Sequence, residues 1–189
     1  MANRILVYGV TGSGKTMLAA QIAECTGLPW HSVDELTWEP GWVAVPLEEQ
    51  RRRIEKICAG DRWILDTAYG QWIDLPMVRA DLIVALDYPR WVSLTRLLRR
   101  SVRRVIDKEP VCNGNIETVA RLFGDESIVR WHFRSFRRKR ARIRRWIAST
   151  SGPSVLQLRS PQRTAQWLET LNRRPSGAGE DTVDRTTGS

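Results

Sequence analysis

The 189-residue chain predicts an α/β fold in which helices cover both faces of a parallel sheet, and three observations carry that expectation. Short apolar runs alternate with helical periodicity along most of the chain. Three of these runs close on an aspartate, Asp34, Asp66 and Asp87. The first run, Ile5-Leu6-Val7-Tyr8, leads directly into Gly9-Val10-Thr11-Gly12-Ser13-Gly14-Lys15-Thr16, which is G-x-x-x-x-G-K-[ST] set between a strand and a helix.

Taken in order, Met17, Leu18, Ala19, Ala20 and Ile22 form the buried side of the helix after this loop. Pro29–Val33 reads as a second short strand ending at Asp34. Residues 46–59 read as a helix, with Pro46 at its start and Leu47, Ile54, Ile57 and Cys58 as its apolar positions. Trp63-Ile64-Leu65 is a third strand closing on Asp66. Leu82–Leu86 is a fourth closing on Asp87, and Pro89 opens a helix that turns Trp91, Leu94, Leu97 and Leu98 inward. Ser154–Leu158 and a helix over 161–173 complete the set. These strands are short apolar runs, as a sheet buried on both faces requires. Residues 1–173 therefore read as one domain, and residues 174–189, which have no aromatic anchor, as a disordered tail.

Composition narrows the class. No apolar run approaches the roughly 20 residues a membrane span needs. Cys25, Cys58 and Cys112 are scattered without metal-ligand spacing, and the chain enters a strand at once with no signal segment. Both point to a cytoplasmic protein with reduced thiols. The net charge of +9 is unevenly placed: residues 90–145 hold 17 Lys/Arg against 5 Asp/Glu. Such a segment meets the phosphates of a small ligand, meets a nucleic acid, or is a solvated basic face.

The glycine-rich loop has a direct chemical reading. Glycines let the backbone fold around a phosphate, and the helix N-terminus adds partial positive charge. The expected nucleotide contacts are Gly9, Thr11, Gly12, Ser13, Gly14, Lys15, Thr16 and Met17. Lys15 has the reach for the β- and γ-phosphates, and the Thr16 hydroxyl is a ligand type for Mg²⁺.

The basic segment admits a geometric test. With Val129 at zero and about 100° per residue, Phe133, Phe136, Ile143 and Ile147 fall within about 40° of it along a helix. Arg140 falls in the same stripe, where a guanidinium needs an anionic partner, and Arg137 lies at its edge. Arg134, Arg138 and Arg142 point away. On the preceding helix Arg96 and Arg100 are four apart and share a face, as snorkelling surface arginines do. Trp38 and Trp42 flank Pro40-Gly41, as an apolar wall or as core. His31 and His132 have no evident partner.

The loop, together with HSVDELTWEPGW (31–42), RWILDTAYG (62–70), RADLIVALDYPRW (79–91) and FRSFRRKRARI (133–143), resembles P-loop kinases of the adenylate kinase type. Within them it is most similar to bacterial FlaR-like proteins related to DNA topology modulation proteins. The resemblance covers about residues 4–173. It implies a three-layer P-loop NTPase fold with a five-stranded sheet in order 2-3-1-4-5. ATP would sit at the carboxyl ends of the strands, and a mobile lid would lie at about residues 104–126. It also implies that Asp66 organises Mg²⁺ with Thr16, and that Arg96 and Arg100 grip the transferring phosphoryl group. Asp34 stands where small-molecule kinases hold the acceptor, and a carboxylate there orients or deprotonates a hydroxyl; the alternative is a helix cap. Asp66 is alternatively a turn cap, and Asp87 is either a competing metal ligand or turn chemistry.

One departure concerns the acceptor. Adenylate kinases follow the third-strand aspartate with Gly-Phe-Pro-Arg, whose arginine holds AMP. Here Asp66 is followed by Thr67-Ala68-Tyr69-Gly70. The expected acceptor is therefore a nucleotide other than AMP or a small hydroxyl-bearing metabolite. The leading expectation is an ATP- and Mg²⁺-dependent kinase using Lys15, Asp34, Asp66, Arg96, Arg100, Arg137 and Arg140. A nucleic-acid-associated ATP-binding protein and an ATP-dependent regulator stay open beside it.

Overall fold

Five strands lie parallel in one sheet: β1 (Arg4–Gly9), β2 (Trp30–His31), β3 (Trp63–Leu65), β4 (Leu82–Leu86) and β5 (Ser154–Leu158). Their order is β2-β3-β1-β4-β5, which is the expected 2-3-1-4-5. The computed structural model describes residues 2–107, 110–111, 113–116 and 128–173. Most of the expected lid and the whole tail after 173 lie outside the described residues. Among those described, no helix is long and apolar enough to cross a membrane.

Period-two alternation sorts β1 into two cores. Ile5 and Val7 face α1 (Lys15–Thr26) and the last helix, packing with Leu18, Ile22, Leu28, Val84 and Leu158. Leu6 and Tyr8 face the opposite side and pack with Val33, Ile54, Trp72, Ile83 and Ile143. The registers align Gly9 with Leu86 and Leu86 with Leu158. The loop after β1, Asp66 after β3 and Asp87 after β4 therefore share the carboxyl edge, where open parallel sheets hold ligands.

The remaining helices are α2 (Val33–Thr37), α3 (Leu47–Cys58), α4 (Asp74–Arg79), α5 (Arg90–Asp107), α6 (Ile128–Ala148) and α7 (Pro161–Asn172). Two short antiparallel hairpins, 38–39 with 43–44 and 110–111 with 115–116, were not anticipated by the strand reading.

Four local expectations are corrected. The second strand stops at His31, because the Val33 N–H donates to Asp66 Oδ1 at 2.9 Å instead of continuing the ladder. Asp34 thus lies in the first turn of α2, whose N-cap is Ser32. In α1, Met17 is 69% exposed, while Leu18, Ala19 and Ile22 are buried. In α5, Trp91 and Leu98 face outward, and the buried face is Val92, Ser93, Leu97 and Ser101. Two small polar residues on that face let the helix approach the loop closely.

The fourth correction concerns α6. Phe133 and Ile147 are exposed, and the inward face is His132, Ser135, Phe136, Lys139, Arg142, Ile143 and Trp146. That face is rotated about 80° from the apolar stripe. Arg142, expected to point away, is half-buried.

Candidate active site

The loop between β1 and α1 is shaped by glycine. Gly12 (φ 80) and Gly14 (φ 93) take left-handed backbone, and a Cβ on Gly12 would collide with the Ser93 carbonyl oxygen and with Leu97 Cβ. Gly14 is the N-cap of α1, and no side chain caps that terminus. The first N–H groups of the helix have no intrahelical acceptor, which makes this terminus an anion-binding feature.

The loop's carbonyls are engaged. Val10 O accepts from Ser13 N–H (3.2 Å), Ser13 Oγ (2.8 Å) and Lys15 Nζ (3.1 Å). Gly9 O accepts from Lys139 Nζ at 3.1 Å, Thr11 O from His132 Nδ1 at 3.0 Å, and Ser13 O from Arg96 Nη1 at 3.3 Å. Side chains of α5 and α6 thus grip the loop by its carbonyl oxygens.

Lys15 and the two carboxylates form the polar centre. Burial lowers the Lys15 pKa, Arg100 adds to that effect, and the charges of Asp34 and Asp66 oppose it. Asp66 is 2% exposed; burial raises its pKa, and hydrogen bonds from the Val33 N–H and the Thr16 hydroxyl counter the rise. The two residues expected to place a metal thus stand close enough to act on each other. Asp34 is half-buried, and its Oδ1 accepts from the Tyr69 hydroxyl at 2.6 Å. Tyr69 therefore fixes the orientation of this carboxylate, and its own pKa is driven upward by burial and by Asp34.

The donor set fits a hydrated divalent cation: a carboxylate and a hydroxyl, both oxygen ligands, at the mouth of an uncapped helix. Thr67 Oγ1, next in the chain after Asp66, is buried with no hydrogen-bond partner among the described residues. No group of three or more His, Cys, Asp or Glu gathers as a metal cage among them.

The expected arginines divide. Arg96 reaches the loop through Ser13 O and lies over the Tyr88 ring at 5.6 Å, and Arg100 is close enough to act on Lys15. Arg137 is exposed. Arg140 has the anionic partner its position demands, but within the chain: its Nε lies 2.9 Å from Asp87 Oδ1, and Asp87 is 5% exposed. Asp87 also accepts from Gln157 Nε2 at 2.7 Å, a structural pairing of strand ends. Trp38 and Trp42 meet edge-to-face at 6.0 Å, both half-buried.

Four residues were missed. Lys139 stands 5.4 Å above the Tyr8 ring, and burial holds its pKa well below the usual lysine value. Arg142 Nη1 donates to Tyr8 Oη at 3.3 Å. His132 is fully buried, which lowers its pKa, with Nδ1 donating to the loop. Asn113, in the expected lid, donates from Nδ2 to the carbonyls of Glu35 (2.9 Å) and Trp38 (2.7 Å), so the hairpin there touches α2. Nothing in the local sequence marks these residues, since each partner is more than 70 positions away.

No protein-family model matches the chain, and no curated protein matches it in sequence. Solved structures do. A shikimate kinase from Acinetobacter baumannii in complex with shikimate superimposes with a TM-score of 0.54 at 16% identity, over 89% of this chain and 90% of that one. A deoxyadenosine kinase from M. mycoides gives 0.50 at 14%, over 89% and 98%. The fold defines the class: a kinase-type P-loop α/β fold, spanning nearly the full length of both neighbours.

Proposed function

We propose that this protein is an ATP- and Mg²⁺-dependent phosphotransferase that moves the γ-phosphoryl group of ATP to a hydroxyl of a small molecule. One observation carries the reading: Lys15 lies at the loop under the influence of both Asp34 and Asp66, and Asp34 is held in place by Tyr69. Pure nucleotide binding requires the loop and its lysine. It does not require a second carboxylate positioned by a dedicated tyrosine.

In this reading the amides of Gly12–Thr16 and Lys15 bind the phosphates, with Gly9 and Thr11 shaping the loop and Met17 beside its exit. Thr16 and Asp66 hold Mg²⁺, which when bound supplies charge neutralisation for the departing diphosphate. Arg96 and Arg100 stabilise charge developing on the transferred group, which is where most catalysis of phosphoryl transfer arises. The acceptor oxygen forms its bond to the γ-phosphorus, the bond to the β–γ bridging oxygen breaks, ADP leaves, and the hydroxyl proton passes to Asp34. Residues 1–173 form the domain, 104–126 its lid, and the setting is cytoplasmic. The narrower FlaR-like affiliation rests on the quoted segments alone.

Part of the basic segment is engaged inside the protein: Arg96, Lys139, Arg140 and Arg142 contact Ser13, Gly9, Asp87 and Tyr8. That favours a phosphate-bearing small ligand over a nucleic acid for these four. The test is incubation of purified protein with Mg²⁺, γ-labelled ATP and a panel of nucleosides, sugars and hydroxy acids. Transfer to at least one acceptor is expected. Tight ATP binding with transfer to none of them overturns the kinase reading.

A further inference from the structure

Of the three side chains from α5 and α6 that hold the loop by its carbonyls, one is not a standing cation. Lys139 and Arg96 donate to Gly9 O and Ser13 O, at 3.1 and 3.3 Å. Between them, His132 Nδ1 takes Thr11 O at 3.0 Å, the shortest of the three contacts and the one made by a fully buried side chain. A carbonyl oxygen only accepts, so Nδ1 carries the ring proton. The Ser93 hydroxyl donates to Arg90 O at 3.1 Å, and its oxygen lies 3.5 Å from Nε2. Burial, and then the charges of Arg90 and Lys15, oppose a second proton on the ring; the bond to Thr11 O alone favours it.

The imidazole is locked in place by its surroundings. The rings of Phe133 and Phe136 lie 6.0 and 5.7 Å from it, and the Arg90 guanidinium covers both, at 5.2 and 4.6 Å. The consequence falls on the next peptide group of the loop. The Thr11–Gly12 peptide is trans, and in a planar trans peptide the C=O and N–H point in opposite directions. With the Thr11 carbonyl turned toward α6, the Gly12 N–H is turned to the other side of the loop. That N–H has no hydrogen-bond partner among the described residues. Gly12 cannot swing away either, because the Ser93 carbonyl and Leu97 Cβ of α5 close the space where a side chain would stand.

We propose that His132 is a positioning residue of the nucleotide site: by holding Thr11 O it aims the Gly12 N–H at the polyphosphate before the nucleotide arrives. The proposal rests on the phosphate-binding part of the kinase reading and adds a residue 121 positions from its partner in the loop. A donor that is already aimed needs no reorganisation when the anion binds, so its hydrogen bond is realised as affinity. A neutral imidazole does this without placing a further charge beside Lys15. His132 itself touches neither nucleotide nor acceptor and needs no opening to solvent.

The first test needs no variant. Nitrogen-15 spectra of the wild type at neutral pH are expected to show the His132 imidazole as the Nδ1–H tautomer, and the Gly12 amide resonance is expected to move downfield when Mg²⁺ and a non-hydrolysable ATP analogue are added. The Nε2–H tautomer, or a Gly12 amide unmoved by the bound analogue, overturns the proposal. Calorimetry with the same analogue then compares His132→Asn with His132→Leu. The two side chains are close in size and lose the same ring packing, but Asn Nδ2 stands where Nδ1 stood. His132→Leu is expected to weaken the analogue about three- to tenfold, the worth of one neutral hydrogen bond, and His132→Asn less than about twofold. Equal losses in the two variants, or no loss in His132→Leu, make His132 a packing residue and overturn the proposal. Failure of the wild type to bind the analogue sinks the nucleotide reading itself. Binding without transfer to any acceptor sinks the kinase reading and leaves the role of His132 standing.

Discussion

Two lysines reach the same loop by different routes. Lys15 Nζ donates to Val10 O and Lys139 Nζ to Gly9 O, both at 3.1 Å. Lys15 is five residues from its acceptor and belongs to the loop that holds it. Lys139 is 130 residues from its acceptor and arrives on α6, a helix placed by packing. Lys15 has two carboxylates acting on it, Asp34 and Asp66; Lys139 has Asp34 and the face of Tyr8. A lysine in a local motif is set by backbone geometry that any reader of the sequence can see. A lysine on a distant helix is set by the sum of the core contacts, which no short window contains.

The comparison breaks most sharply at Lys15. Lys15→Ala is expected to lower phosphoryl transfer by on the order of 100-fold or more, as removal of a preorganised cation does. Titration of Mg-ATP should show weakened binding in parallel. Lys139→Met, in contrast, should leave Mg-ATP binding within a few-fold, because its one hydrogen bond is to the Gly9 carbonyl at the end of β1. Equal losses of Mg-ATP affinity in the two variants would place both lysines on the polyphosphate and erase the distinction.

Asp34 lies between the two lysines electrostatically and separates chemistry from binding. Asp34→Asn is expected to reduce transfer by roughly 100-fold, the scale of a lost general base, with ATP affinity near normal. Tyr69→Phe removes the hydrogen bond that orients the carboxylate and should cost about tenfold, the worth of a bond to a charged group. Rates under single-turnover conditions, with ATP titrated separately, check both. A Tyr69→Phe loss as large as that of Asp34→Asn would make the tyrosine the more important partner.

How much was visible beforehand follows the same division. The loop was legible because its residues stand together at one strand end, and the strand order followed from the family resemblance that the quoted segments carry. Arg140 was expected to meet the polyphosphate as its anionic partner, and the structure pairs it with Asp87, because a stripe calculation shows that a charge is half-buried but not what it faces. The orientation of α6 was misjudged by about 80°. A helix face that lines a polar site carries His132, Lys139 and Arg142, and apolar periodicity turns such a face toward solvent. Asp34 was placed at a strand end and stands in a helix turn, because the Asp66 side chain captures the Val33 N–H.

Glycines sharpen the contrast between the loop and the rest of the chain. Gly12 and Gly27 both have positive φ, but a Cβ on Gly27 has nothing within 4 Å, while one on Gly12 meets α5. Gly27→Ala should lower stability by about 1 kcal/mol, the left-handed backbone penalty alone. Gly12→Ala should cost roughly 2–4 kcal/mol, since overpacking adds to the same penalty. Urea unfolding distinguishes the two. Equal losses would mean that α5 yields freely, and that the loop is not braced by Ser93 and Leu97.

The smallest expected effect returns to Lys139 through pH. Its pKa in the folded protein lies well below 10.5, and in the unfolded chain it lies near 10.5. Between those values the unfolded chain binds the extra proton, so stability rises as pH climbs through this window. One proton contributes at most about 1.4 kcal/mol per pH unit. Lys15 is shifted in the same direction and contributes to the wild-type slope as well. Unfolding free energies of wild type and Lys139→Met, followed as pH climbs toward 10.5, should therefore both rise, with a shallower slope in the variant. Identical slopes would mean that the Lys139 ammonium stays protonated across this range on the ring of Tyr8.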